Sequence, residues 1–249
     1  FDEQSENIEE DEVYQIEEYF TLLGKQIVEL LEGVGYKRCK GLMMSSEANW
    51  RGSIHTWQER LRTWALKATD DDILLGHNFL SFRFVVGSSN VNEKFTAMAK
   101  KQLKVSKTFM YLMAQQEREH LVPQLEQPLI AFFGQRQSTI DIKKHALFPF
   151  QRCLQILGVH NDIIEGTPLD ILAELEKKGQ FTSSFADELR HAFEVALSTR
   201  ITLSWNKHLR GEESSTEIKL TELNSWKREE LIIALKSIRA LQFHLLKKL

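Results

Sequence analysis

Apolar residues return every three or four positions along most of this chain, and that rhythm confines most of it to helices. Val13, Ile16, Phe20, Leu23, Ile27, Leu30 and Val34 form one stripe, which Gly33 and Gly35 close. Leu231, Leu235, Ile238, Leu241, Leu245 and Leu249 form another at the far end. Between them the same spacing predicts a helix from Ser53, with Trp57 and Trp64 on one face. It predicts further helices over 91–116 and 123–133, and near 144–157, 167–178, 183–210 and 225–248. Thr167-Pro168 reads as an N-cap followed by Pro at the first helical position, and Asn224-Ser225 caps the last helix. Two segments alternate instead. Phe79–Val86 predicts a strand with Leu80, Phe82, Phe84 and Val86 on one face and Arg83 on the other, after a loop at Asp70–Asp72. Ser138–Lys143 predicts a shorter extended piece, with Ile140 and Ile142 opposite Asp141 and Lys143. The expected class is mainly α, or α+β overall.

Composition narrows the function classes. A length of 249 residues has room for two domains, and 42% hydrophobic with 27% charged residues excludes wholesale disorder. Cys39 and Cys153 make neither a disulfide framework nor a zinc site, and read as thiols of a cytoplasmic protein. No apolar run is long enough to span a membrane. A net charge of -3 gives no general attraction for nucleic acid or an anionic membrane. The acidic start, from Asp2 to Glu18 with no basic residue before Lys25, reads as a solvated helix N-terminus. The chain begins at Phe1 without a signal segment, which predicts a piece of a longer product.

Few motifs carry chemistry on their own. There is no Gly-rich phosphate loop. Glu117 with His120 and Glu188 with His191 are Glu-x-x-His pairs of the kind di-iron bundles use, but chance alone supplies about one, so two is unremarkable. Glu117 sits among charged neighbours and reads as helix surface. Arg83, Lys143, Lys144, Arg152 and Arg200 lie in or beside apolar segments. Each reads as a structural ion pair or, jointly, as the lining of a phosphate pocket.

One longer pattern points further. Gly35-Tyr36-x-x-Cys39-x-Gly41-x-x-Met44-x-x-x-x-x-Trp50-Arg51, followed by Trp57 and Trp64, resembles a bacterial family of nucleotidyltransferases of unknown substrate. These are similar to the nucleotidyltransferase region of PII-protein uridylyltransferases and are often fused behind CBS or cyclic-nucleotide-binding domains. The resemblance continues through Phe82-Arg83-x-x-x-Gly87, Pro128-Leu129-x-x-Phe132-Phe133-Gly134 and Ile140-Asp141-Ile142-Lys143-Lys144, then Leu147, Pro149, Thr167 and Arg200. It implies the remnant of a nucleotidyltransferase-fold sheet packed with a C-terminal helical bundle. Residues 1–69 would be the end of the transferase domain and 70–249 a helical substrate-binding domain.

The resemblance also implies chemistry. The family carries a Gly-Ser loop and an Asp-x-Asp pair, whose carboxylates hold Mg²⁺ against the phosphates of a nucleoside triphosphate. Neither motif is among these residues, and Ser81 stands where the family has the Asp of Phe-Asp-Phe-Arg. Asp170, Ser204 and Glu47 replace a family Arg, Gln and Asn. The expectation is a signalling protein that transfers a nucleotidyl group to an unidentified protein or small-molecule acceptor when the upstream segment is present. These residues alone would not catalyse transfer. Arg83, Lys143 and Arg200 would contact the anion, with Asp141 orienting them, under an upstream regulatory domain. The alternative is a non-catalytic regulatory module that binds a nucleotide or a protein.

Overall fold

A computed structural model describes residues 10–125, 139–213 and 215–248, the side chains of Glu10 and Asp11 excepted. The expected 123–133 helix and the Pro128–Gly134 motif fall mostly or wholly outside these residues. The described chain is mainly helical, as the apolar rhythm requires, with one two-stranded antiparallel sheet. It divides into two compact units. One takes the described residues up to Thr63 together with Phe84–Gln102. The other takes Trp64–Arg83 and the described residues from Leu103 onward.

In the first unit, α1 (Glu10–Gly33) follows the expected stripe, but a neighbouring face is the one it buries. Thr21 and Gly24 meet the 43–51 segment, and Val28 one turn on from Gly24 is buried. Ile27, Leu30 and Val34, on the expected stripe, are exposed. The reason is a close backbone approach at Gly24. A Cβ there would lie 2.2 Å from the Ser45 carbonyl oxygen, so only glycine lets the loop sit down on this face. Arg51 pins the loop, donating to the Ser45 carbonyl and to Thr21 Oγ1, both at 2.8 Å. Ser53 Oγ accepts from the Thr56 amide and starts α2 (Ile54–Lys67). Trp57 on α2 lies 6.0 Å from Trp50 and 6.2 Å from Phe95 of α4 (Ser89–Val105), with the Arg60 guanidinium 5.0 Å from its ring.

The second unit begins with a correction. Asp70–Asp72 is not a loop but the first turn of α3 (Asp70–Phe79), where Thr69 and Asp72 form a reciprocal capping box. Helical winding then continues only through a turn at Leu80 and Ser81, and residues 82–85 of the segment read as a strand are irregular. The Leu80 amide reaches the Gly76 carbonyl, and the Phe82 amide reaches that of Phe79. Phe79 and Phe82 meet at 5.3 Å because they are three apart on a turn, not alternating on a pleat. Phe79 and Leu80 are buried, while Val85 and Val86 are exposed. Arg83 therefore stands in an exposed loop and not on the face of a strand.

The expected 91–116 helix breaks at Ser106 into α4 and α5 (Lys107–Glu119). The extended piece at 138–143 forms β1 (Thr139–Asp141). It pairs antiparallel with β2 (Glu217–Lys219), Ile140 opposite Ile218. A wide π turn, Lys143–Leu147, leads into α6 (Phe148–His160). Pro149 has no N–H to give back to this turn, and the Phe148 amide reaches the Lys143 carbonyl, five residues back.

Helix α6 is the centre of this unit. It packs against α5, α7 (Pro168–Lys177) and α9 (Ser225–Lys248), and α9 packs along α8 (Ser183–Leu209). The α9 stripe buries Leu231, Leu235, Ile238, Leu241 and Leu245 as its spacing predicts, each side chain contributing roughly 1.5–3 kcal/mol. Thr167 caps α7 as expected. Asp170 reaches back to the Thr167 amide, so the departure from a family Arg there completes a capping box. No helix of the described residues is long and apolar enough to cross a membrane.

Candidate functional site

Most of α6 is buried, yet Phe148, Gln151, Arg152 and Gln155 fall at i, i+3, i+4 and i+7 and make one mostly polar face. Three elements converge on it. The end of α3 brings His77 and Ser81, α5 brings Glu117, and the π turn brings Lys143.

Ser81 Oγ accepts hydrogen bonds from Gln151 Nε2 at 2.6 Å and Gln155 Nε2 at 3.0 Å, and donates to the His77 carbonyl at 3.3 Å. A hydroxyl has one proton and two lone pairs, so this one is saturated. It has nothing left for Mg²⁺, and its neighbours are neutral amides. Among the described residues, no three His, Cys, Asp or Glu side chains come together as a metal-ligand group. The residues described here do not fit a Mg²⁺ site. The two Glu-x-x-His pairs likewise join no such group.

Glu117 is 1% exposed, which corrects its reading as helix surface. Its Oε1 accepts from Arg152 Nη1 at 3.4 Å, and its Oε2 from Gln242 Nε2 at 3.1 Å. Gln242 is itself fully buried and accepts the Val122 amide at 2.9 Å. Burial pushes the Glu117 carboxyl above its usual range, although Gln242 and Arg152 pull the other way. His77 is 3% exposed, and neither ring nitrogen has a partner of hydrogen-bond geometry among the described residues. Burial, with the charge of Arg152 beside it, lowers its pKa to about 3, so the ring is neutral. Cys153 lies behind this face, its thiol pushed up by burial and by Glu117.

The cationic groups gather on one ring. Lys143 Nζ lies 5.0 Å, and the Arg152 guanidinium 5.3 Å, from the centroid of the half-buried Phe148. Glu117 occupies part of the charge of Arg152. Lys143 has no ion pair among the described residues.

The other expected contacts separate. Asp141 is buried, and its Oδ1 accepts the amides of Lys143 and Lys144 at 3.0 and 3.1 Å. It holds the backbone of the π turn, not the Lys143 side chain. Burial would raise its pKa, but the Thr216 hydroxyl and these two amides hold it below the usual range. Arg83 is exposed, two residues beyond Ser81, and makes no hydrogen bond or ion pair among the described residues. Arg200 is half-buried on α8. It lines a shallow groove with Ile201, Ser204 and Trp205, and no hydrogen bond or ion pair among the described residues joins it to the others. A cleft of about 690 Å³ between α8 and the β2–α9 segment carries none of these residues.

The burial of Glu117 and the presence of His77 at this face escaped the sequence reading for different reasons. Met110, Met113, Ala114 and Glu117 share one helical face, a signal that charged neighbours on either side masked. His77 was hidden by the strand expected after it.

Two family models match the chain. Residues 107–249 match the family described as "Putative nucleotidyltransferase substrate binding domain". The chain belongs to that family. Residues 6–71 match "Putative nucleotidyltransferase DUF294", which places the nucleotidyltransferase association on the N-terminal stretch as well. No curated protein and no solved structure gives a match. The α6 face lies wholly within the 107–249 match, apart from the α3 residues that complete it.

Proposed function

We propose that this chain supplies the nucleotide-holding wall of a signalling nucleotidyltransferase related to PII-protein uridylyltransferases. The observation that carries the reading is the pair Lys143 and Arg152 on Phe148, inside a stretch matched as a substrate-binding domain. Two cations held beside an aromatic ring, one of them without a carboxylate partner, suit the phosphates of a nucleoside triphosphate. Arg83 and Arg200 would add charge at the edges, and Asp141 would fix the turn that presents Lys143. The Mg²⁺ and the transfer step belong to a Gly-Ser loop and Asp-x-Asp carboxylates, with an acceptor still to be identified and an upstream sensor domain to regulate it.

The test is calorimetric titration of the chain with UTP, ATP and tripolyphosphate. At least one nucleotide should bind saturably, and Lys143→Ala should weaken it about tenfold, the loss of one charge-assisted contact. Absence of nucleotide binding, or unchanged binding by Lys143→Ala, sinks the reading. A second reading is a regulatory module that binds nucleotide or protein without transfer. The saturated Ser81, at the position of a family Asp, favours it. Mg²⁺-dependent pyrophosphate release by the protein carrying all its segments decides between the two.

A further inference from the structure

On another side of the second unit, four basic groups from four helices surround an apolar hollow of about 420 Å³. Lys104 comes from the last turn of α4, Lys107 from the start of α5, His160 from the end of α6 and Lys248 from the end of α9. The floor is Leu103, Met110, Ile156 and Val159, all buried, and Tyr111 forms a wall. No carboxylate lines it, in a chain whose net charge is -3.

Three of these basic groups have a structural reason to be there. Lys104, His160 and Lys248 each sit at a helix C-terminus, where a positive charge suits the helix dipole. Lys104 also pairs with Asp162 at 3.1 Å, and Lys248 donates to Gln180. Lys107 has no such reason. It occupies the first position of α5, the end of a helix that favours a negative charge, and it makes no hydrogen bond or ion pair among the described residues. The hollow thus combines an apolar floor, which rewards burial of hydrocarbon, with a rim that rewards one negative charge. Inorganic phosphate would leave the floor unfilled, and a neutral hydrocarbon would leave the rim unpaired.

We propose that this hollow binds an amphiphilic organic anion, an acyl chain or aromatic body ending in a carboxylate or phosphate. It is separate from the α6 face, and its occupant is a single molecule and not a membrane surface, because the floor is concave and walled by Tyr111.

The experiment titrates the 249-residue chain by calorimetry with decanoate below its micellar range, with decanol, and with inorganic phosphate. Decanoate should bind saturably, and decanol and phosphate at least tenfold more weakly. Lys107→Glu, an exposed position that leaves the packing intact, should weaken decanoate at least tenfold, and high salt should weaken it too. Met110→Trp, which fills the floor, should abolish binding. Circular dichroism melts confirm that both variants remain folded. Equal affinity for decanol, no saturable decanoate binding, or binding untouched by Lys107→Glu overturns the proposal. So does binding to anionic phospholipid vesicles in the absence of any binding to monomeric decanoate.

Discussion

Glu117 offers a direct measure of what a buried charge does in this fold. Its carboxylate is buried and holds two donors, Arg152 Nη1 and Gln242 Nε2. Glu117→Ala removes both carboxylate acceptors and leaves a void, although Gln242 Nε2 keeps the Glu117 and His120 carbonyls as acceptors. That should cost about 2–3 kcal/mol, the sum of a lost charge-assisted hydrogen bond and a small cavity. Arg152 adds less, because a quarter of its side chain is exposed and water can reach it. Glu117→Gln keeps the volume and one acceptor, and turns the other atom into a donor. It should cost about 1 kcal/mol, part of which is offset because the isostere removes a desolvated charge. The two variants also differ in pH dependence. The folded carboxyl titrates above its unfolded value. The native state therefore binds the extra proton first, and this group's contribution to stability falls as pH rises from about 4.3 through the raised value. Glu117→Gln has no such term, so its deficit relative to the wild type should be largest in acid and shrink toward neutral pH. Urea unfolding followed by circular dichroism at several pH values reads both effects. If Glu117→Gln is as damaging as Glu117→Ala, or its deficit grows with pH, the ionised carboxylate is a net stabiliser and the reasoning fails.

Three further outcomes are expected. Gly76→Ala would bring a Cβ within 2.7 Å of the Phe109 ring edge, and overpacking there should cost about 1–3 kcal/mol in a melt. Asp141→Ala removes the cap of the π turn and should cost about 1 kcal/mol at neutral pH. Because the native Asp141 titrates below its usual range, that contribution is present above the unfolded pKa and lost as pH falls through the folded one. The variant and the wild type should therefore converge in acid unfolding curves. Iodoacetamide should label the exposed Cys39 in the native protein and reach the buried Cys153 only after denaturation, as a mass spectrum would show.

The helices were legible because burial and periodicity agree along them. The α9 stripe and the Thr167-Pro168 start needed nothing beyond local spacing. The segment after Asp70 was not legible, since eight residues rich in Phe and Val fit a pleat as well as they fit a helix end. A capping box ten residues earlier decided the matter, and the Asp70–Asp72 run concealed it by reading as a loop. The α1 stripe failed for another reason. Which face of an amphipathic helix is covered depends on what approaches it, and a glycine one step off the stripe admits a backbone that no side chain would. At the candidate site, Arg152 and Lys143 were visible as cations among apolar residues. Their arrangement on Phe148 depends on the π turn before Pro149, which periodicity alone does not encode.

The interleaving of the two units bears on how such a chain can be inherited and cut. The backbone passes from one unit to the other after Thr63, after Arg83 and after Gln102. A single recombination point cannot exchange one unit and leave the other whole. A gene fragment trimmed to start at Lys107, where the substrate-binding family match begins, would encode α6 with its amides intact but without α3. It would lose Ser81, the acceptor for Gln151 and Gln155, and the Gly76 surface on which Phe109 rests. Shuffling of this region through evolution would therefore conserve the stretch from Trp64 to Arg83 as cargo of the C-terminal unit, although it lies on the other side of a whole helix in the gene.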